Sequence, residues 1–128
     1  MKKPKKRKKS SPLKKLMNIA ETLWKLKAKH RDGNRCSLCE STKILQVDHC
    51  FSRTCKELFL EIDNATTLCA SCHTKKSFSV HGFDELVREH VEKRVGKDRF
   101  EEMRAIYKKN APFDWTFDKL EKKIQELA

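Results

Sequence analysis

Leu13, Leu16, Met17, Ala20, Leu23 and Trp24 recur at the three- and four-residue spacing that lines one face of a helix. Ser11 followed by Pro12 supplies a start: a capping hydroxyl, then proline at the first helical position. Arg31-Asp32-Gly33-Asn34 supplies a stop, so the pattern predicts a helix over 12–32. The stripe reads as core packing, and Lys14, Lys15, Lys25 and Lys29 opposite it are free to follow a polyanion. One short run, Ile44-Leu45-Gln46-Val47-Asp48-His49, reads as a strand. Beyond residue 80, Asp84 can cap a helix through Leu86, Val87, His90 and Val91, stopped by Gly96. Asp98 starts another through Met103, Ile106 and Tyr107, ending near Asn110. Pro112 breaks the chain, and Phe117, Leu120, Ile124 and Leu127 mark a last amphipathic helix. The expected organisation is a basic arm (1–11), a helix (12–32), a cysteine-bearing core (33–80) and a helical region (81–128). The last either packs as a small helical element or mediates self-association.

Composition changes this picture by limiting the core. Only 38% of the 128 residues are hydrophobic and 38% are charged, and small cores need a staple such as a disulfide or a structural metal. No apolar run follows the basic N-terminus, so a secretory signal is not expected. No stretch is long and apolar enough for a membrane span. A cytoplasmic chain keeps its thiols reduced, which favours metal over disulfide for the six cysteines. The net charge of +12 is unevenly placed. Lys2, Lys3, Lys5, Lys6, Arg7, Lys8 and Lys9 crowd the arm, whereas residues 81–128 hold eleven bases against eleven acids. Such a field suits nucleic acid; a solubilising tail or a patch for anionic lipid has the same composition. The arm reads as phosphate-binding, and a nuclear-localisation run would look alike.

Cys36-Ser37-Leu38-Cys39 and Cys69-Ala70-Ser71-Cys72 are two C-x-x-C knuckles, twenty-nine residues apart. Two such pairs complete the closed tetrahedral shell of structural Zn2+. Cys50 and Cys55 are less aptly spaced and read as small hydrophobic side chains. Cys72-His73 also completes a C-x-x-C-H haem-attachment string, but that chemistry belongs to exported proteins and competes with the knuckle for thiols.

Between and just after the knuckles lie Asp48, His49, Arg53, Asn64 and His73. Phosphodiester hydrolysis needs a base for water, a divalent cation at the phosphate and donors that stabilise charge. Neighbours on a strand point to opposite sides, so Asp48 and His49 have different tasks. Taken singly, His49 could be a zinc ligand, Asp48 a strand-end cap, Asn64 a turn residue and His73 a helix start. His30, His81 and His90 belong to no constellation and read as surface or packing residues.

The order C-x-x-C, Asp-His, Asn, C-x-x-C-His resembles the zinc-bracketed HNH (ββα-metal) endonucleases over residues 36 to about 78. His49-Cys50-Phe51-Ser52-Arg53 and the segment Asp63 to His73 (D-N-x-x-x-L-C-x-x-C-H) look most like phage NinG-type recombination nucleases. The resemblance implies an α+β fold: a short β-hairpin and a helix clasping two metals, with helices at both ends. It implies that His49 is the general base and that Asp48 and His73 hold one Mg2+ or Mn2+. Asn64 would pin the loop that orients His49, and Arg53 would contact phosphate. Cys36, Cys39, Cys69 and Cys72 would hold zinc away from the chemistry, with Lys75, Lys76 and the arm on phosphates. The implied substrate is DNA, including branched recombination intermediates, cut by a monomer or a homodimer. The apolar run Leu58-Phe59-Leu60 between His49 and Asn64 points to an insertion or extra turn. Two other readings use the same residues. One is a non-catalytic zinc module that binds nucleic acid; the other is a protein-interaction adaptor working through its acid-rich helical tail.

Overall fold

In the computed structural model, which describes residues 11–78 and 82–128, the first helix starts where its sequence signals lie. The Ser11 hydroxyl accepts the Lys14 N–H at 3.2 Å, and Pro12 takes the first position of α1 (Pro12–Arg31). A donor that a helix N-terminus would otherwise leave unpaired is thereby satisfied. Gly33 and Asn34, both at positive φ, turn the chain away after Asp32. Residues 1–10 of the basic arm, with all its lysines and Arg7, and His81 lie outside the described residues.

β1 (Leu45–His49) pairs antiparallel with β2 (Ala65–Cys69), Leu45 opposite Cys69 and His49 opposite Ala65. The pair is not a tight hairpin. Residues 50–64 intervene and form two single turns of 3-10 helix, Lys56–Leu58 and Ile62–Asn64. The apolar run explains the excursion: Leu58 is buried in one hydrophobic cluster, and Leu60 in another. α2 (Ala70–Ser77) leaves directly from β2.

α3 (Phe83–Val95), α4 (Lys97–Lys109) and α5 (Phe117–Leu127) follow. The cap of α3 is Gly82 at φ 75°, not Asp84. Asp84 and Glu85 instead lie in the first turn, where negative charge suits the helix dipole without capping. Gly96, at φ 91°, ends α3 and begins α4 in one residue, a conformation that L side chains avoid.

A two-stranded sheet cannot stand alone in water, and here helices cover both faces. On one, Val47 and Ala65 pack with Trp24, Ala28 and Leu120 from α1 and α5. On the other, Leu68 packs with Val87, Val91, Phe100 and Met103 from α3 and α4. The outer edge of β2 is closed as well: the Thr67 N–H donates to Asp32, and the Ser37 N–H to the Thr67 carbonyl. Arg31 holds α1 against this corner through the Ile62 and Ala65 carbonyls at 2.8 and 2.7 Å. No helix among the described residues is long and apolar enough to cross a membrane.

α5 therefore belongs to the fold through its packing on α1. Leu120 is fully buried there, so Leu120→Ala is expected to cost about 3 kcal/mol in urea or thermal unfolding. A change near zero would mean that α5 is an appendage.

Candidate metal centre and active-site cleft

The sulfurs of Cys36, Cys39, Cys69 and Cys72 all lie within 4.8 Å of one another, with Cys39 and Cys69 at 3.5 Å. Four thiolates at the usual Zn–S distance of about 2.3 Å stand about 3.8 Å apart, so the cluster fits a structural zinc. Local structure brings the two knuckles together. Cys69 caps α2, its sulfur accepting the Cys72 N–H at 3.4 Å. The first knuckle is tied beside it by Ser37 N–H to Thr67 O and Ala70 N–H to Ile44 O, both at 2.9 Å. Burial alone would raise the Cys36 thiol, but backbone N–H groups of Cys39, Cys69 and Leu38 bring it down to about 7. Burial and the neighbouring sulfurs push Cys72 the other way. Thiols crowded like this compete for protons and release them readily to a cation. Cys50 and Cys55 stand apart in the core; burial pushes Cys50 up to about 11, as for a small apolar side chain.

His49 ends β1 on the α1 side. Its ring lies between those of Trp24 and Phe59, with centroids at 4.4 and 5.0 Å. Nε2 is 2.9 Å from the Phe59 carbonyl. A carbonyl can only accept, so Nε2 carries the proton and Nδ1 keeps the lone pair. Burial lowers the His49 pKa below 6.5, outweighing the Phe59 carbonyl and Asp48, which raise it. The imidazole is neutral at pH 7.

Asn64 closes the excursion that carries Phe59. It is fully buried; Oδ1 accepts the Phe51 N–H at 2.7 Å, and Nδ2 donates to the Phe51 and Leu58 carbonyls at 3.0 and 3.2 Å. From outside, Arg99 and Lys123 grip the same turn through Glu61 and Asp63.

Asp48 points to the opposite face of the sheet, toward α2. Its Oδ2 is 3.5 Å from His73 Nδ1 and 2.9 Å from the Lys76 ammonium. His73 Nδ1 is buried and has no hydrogen-bond partner among the described residues. An unpartnered nitrogen beside a carboxylate oxygen is a donor set that a divalent cation can use. Lys76 faces inward, donating also to the His49 carbonyl at 3.2 Å, while Lys75 lies over Phe83.

Asp48, His49 and Lys76 line a cleft of about 260 Å3, and exposed Arg53 borders it. His73 does not line this cleft; it reaches the site only through Asp48. Asp84 and Arg88 from α3 and Tyr107 from α4 complete the wall. Sequence reasoning missed these three, and Trp24 too, because only tertiary packing brings them here. Phe59 had a local signal in its apolar run.

The purified chain is expected to carry about one Zn2+ by elemental analysis. Cys72→Ser should lose most of it, together with the cooperative unfolding transition. Full helical circular dichroism in metal-free protein would contradict the stapling role.

No curated protein and no solved structure matches the chain. The family model for HNH endonucleases matches residues 36–79, a stretch that takes in both knuckles, Asp48, His49, Asn64 and His73 and supports nuclease chemistry on nucleic acid.

Proposed function

We propose that this protein is a metal-dependent DNA endonuclease whose base is His49 and whose catalytic cation sits on Asp48 and His73. The observation that carries this reading is the pairing of buried, unpartnered His73 Nδ1 with the Asp48 carboxylate, one residue along the strand from a neutral His49. Bound there, Mg2+ or Mn2+ would supply the positive charge that polarises a phosphate and eases departure of its ester oxygen. His49 takes a proton from the attacking water at Nδ1, since Nε2–H is committed to the Phe59 carbonyl. Asn64 acts by positioning: it fixes Phe51 and Leu58, and with them the carbonyl that sets the His49 tautomer. Arg53 and Arg88 border the cleft as cations for the phosphodiester.

The finer reading is a cytoplasmic phage recombination nuclease that acts on branched DNA, as a monomer or a homodimer. It is supported by the H-x-F-S-R and D-N-x-x-x-L-C-x-x-C-H strings. The lysine-rich arm then adds affinity through phosphates, independent of sequence.

One observation favours a second reading, a zinc-stabilised binder without catalysis. Lys76 already neutralises Asp48 at 2.9 Å, as it would in a purely structural ion pair.

Supercoiled plasmid separates the two. With Mg2+ or Mn2+ added, the wild type should nick, and His49→Ala should be slower by about 100-fold or more. Undiminished cutting by the variant would remove His49 as the base. Retardation of the plasmid without nicking, under either metal, would leave the binder.

A further inference from the structure

A second depression, of about 670 Å3, shares Arg53 with the cleft. It opens where the first turns of α1 meet the 53–59 stretch and the segment entering α5. Three aromatic rings line it, those of Phe59, Trp115 and Phe117, and three cations, Lys14, Arg53 and Lys56. Asp114 is the one acid. The rings are held in place: Trp115 Nε1 donates to the Lys56 carbonyl at 2.9 Å, and Phe59 stacks on His49. Phe117 stands 49% exposed.

We propose that this groove is a subsite for an unpaired nucleotide. Its base would stack against Trp115 and Phe117, with the Phe59 ring, already stacked on His49 and overlain by Arg53 at 5.6 Å, forming the floor. Flanking phosphates would lie on Lys14, Arg53 and Lys56. The inference rests on reading the adjacent cleft as the place where a phosphodiester is cut, and it names the substrate class: DNA with a single-stranded nucleotide next to the scissile bond.

Three observations favour this occupant. Flat apolar faces interleaved with cations match the two invariant parts of a nucleotide, its π-face and its phosphate. A base within a duplex stack presents no free face, so the groove discriminates by strandedness and not by sequence. Arg53 makes the groove continuous with the cleft, lying over the Phe59 ring at 5.6 Å while that ring stacks on His49. The chain's own arm is a poor occupant, because its seven Lys/Arg and lack of aromatics would meet three like charges. An acidic peptide would satisfy the cations but leave three rings without flat partners.

The test uses the full zinc-loaded chain with no Mg2+ or Mn2+ added. Fluorescence anisotropy compares an oligothymidylate of about 12 nucleotides with an abasic deoxyribose-phosphate strand of equal length, so that charge is the same. The thymidylate should bind about tenfold more tightly, equivalent to ~1.4 kcal/mol. Phe117→Ala should close most of that gap, and Phe117→Trp, which keeps a ring there, should preserve it. Equal affinity of the wild type for the two strands overturns the subsite. So does a gap that survives both Phe117→Ala and Trp115→Leu. Displacement of both strands alike by polyglutamate, with no gap between them, would assign the groove to acidic peptides instead. The nicking assay reports on the other reading independently. A chain that distinguishes the strands but never nicks keeps the subsite and loses the nuclease; one that nicks without distinguishing them does the reverse.

Discussion

The buried carboxamide of Asn64 is the contact on which the local architecture turns. A primary amide sealed from water must find its partners within the protein or destabilise it by a few kcal/mol. Asn64 finds three, all on backbone groups of the excursion between the strands. That geometry decides where the chain returns, and hence where Phe59 presents its carbonyl and ring. The orientation of His49 follows from the carbonyl, and the wall of the aromatic groove from the ring. Arg94 and Arg99, reaching in from α3 and α4 to Asp63, brace the same turn from the far side.

The strand alternation divides the labour between two neighbours in sequence. His49 goes to the α1 face, among aromatic rings that strip it of water and keep it neutral. Asp48 goes to the α2 face, beside Lys76 and His73. One peptide bond separates the two side chains, which leave the strand on opposite sides and both border the cleft. The sulfur cluster lies at the opposite end of the strand pair, where Leu45 faces Cys69.

Much of this was legible in the sequence where a signal is local. Ser11 and Pro12 mark the start of α1, the two knuckles announce a sulfur shell, and the spacing of Phe117, Leu120, Ile124 and Leu127 marks α5. β2 was not legible: Ala65-Thr66-Thr67-Leu68-Cys69 is buried throughout, so burial on both faces erases the alternation that would reveal a strand. The α3 cap was misplaced because the helix begins at Phe83, directly after Gly82 at positive φ and with no side-chain cap, so that Asp84 already lies inside the first turn. Trp24, Arg88 and Tyr107 reach the cleft region from 25 or more residues away along the chain, and no periodicity encodes such an encounter. Lys76 reads in the sequence as a phosphate-binding lysine beside Lys75, and only the fold turns it toward Asp48.

Every cysteine but Cys39 shares one apolar cluster with Val87, Val91, Phe100 and Met103, all four of which lie beyond residues 36–79. A fragment limited to residues 36–79 would leave Leu58, Leu68 and Phe51 facing water and the 61–63 turn without its arginine clamps. The stretch that matches the HNH model is therefore not a portable cassette. Grafting it into another protein would require its helical flanks to travel with it, since they supply both the packing beneath the cysteines and part of the cleft wall.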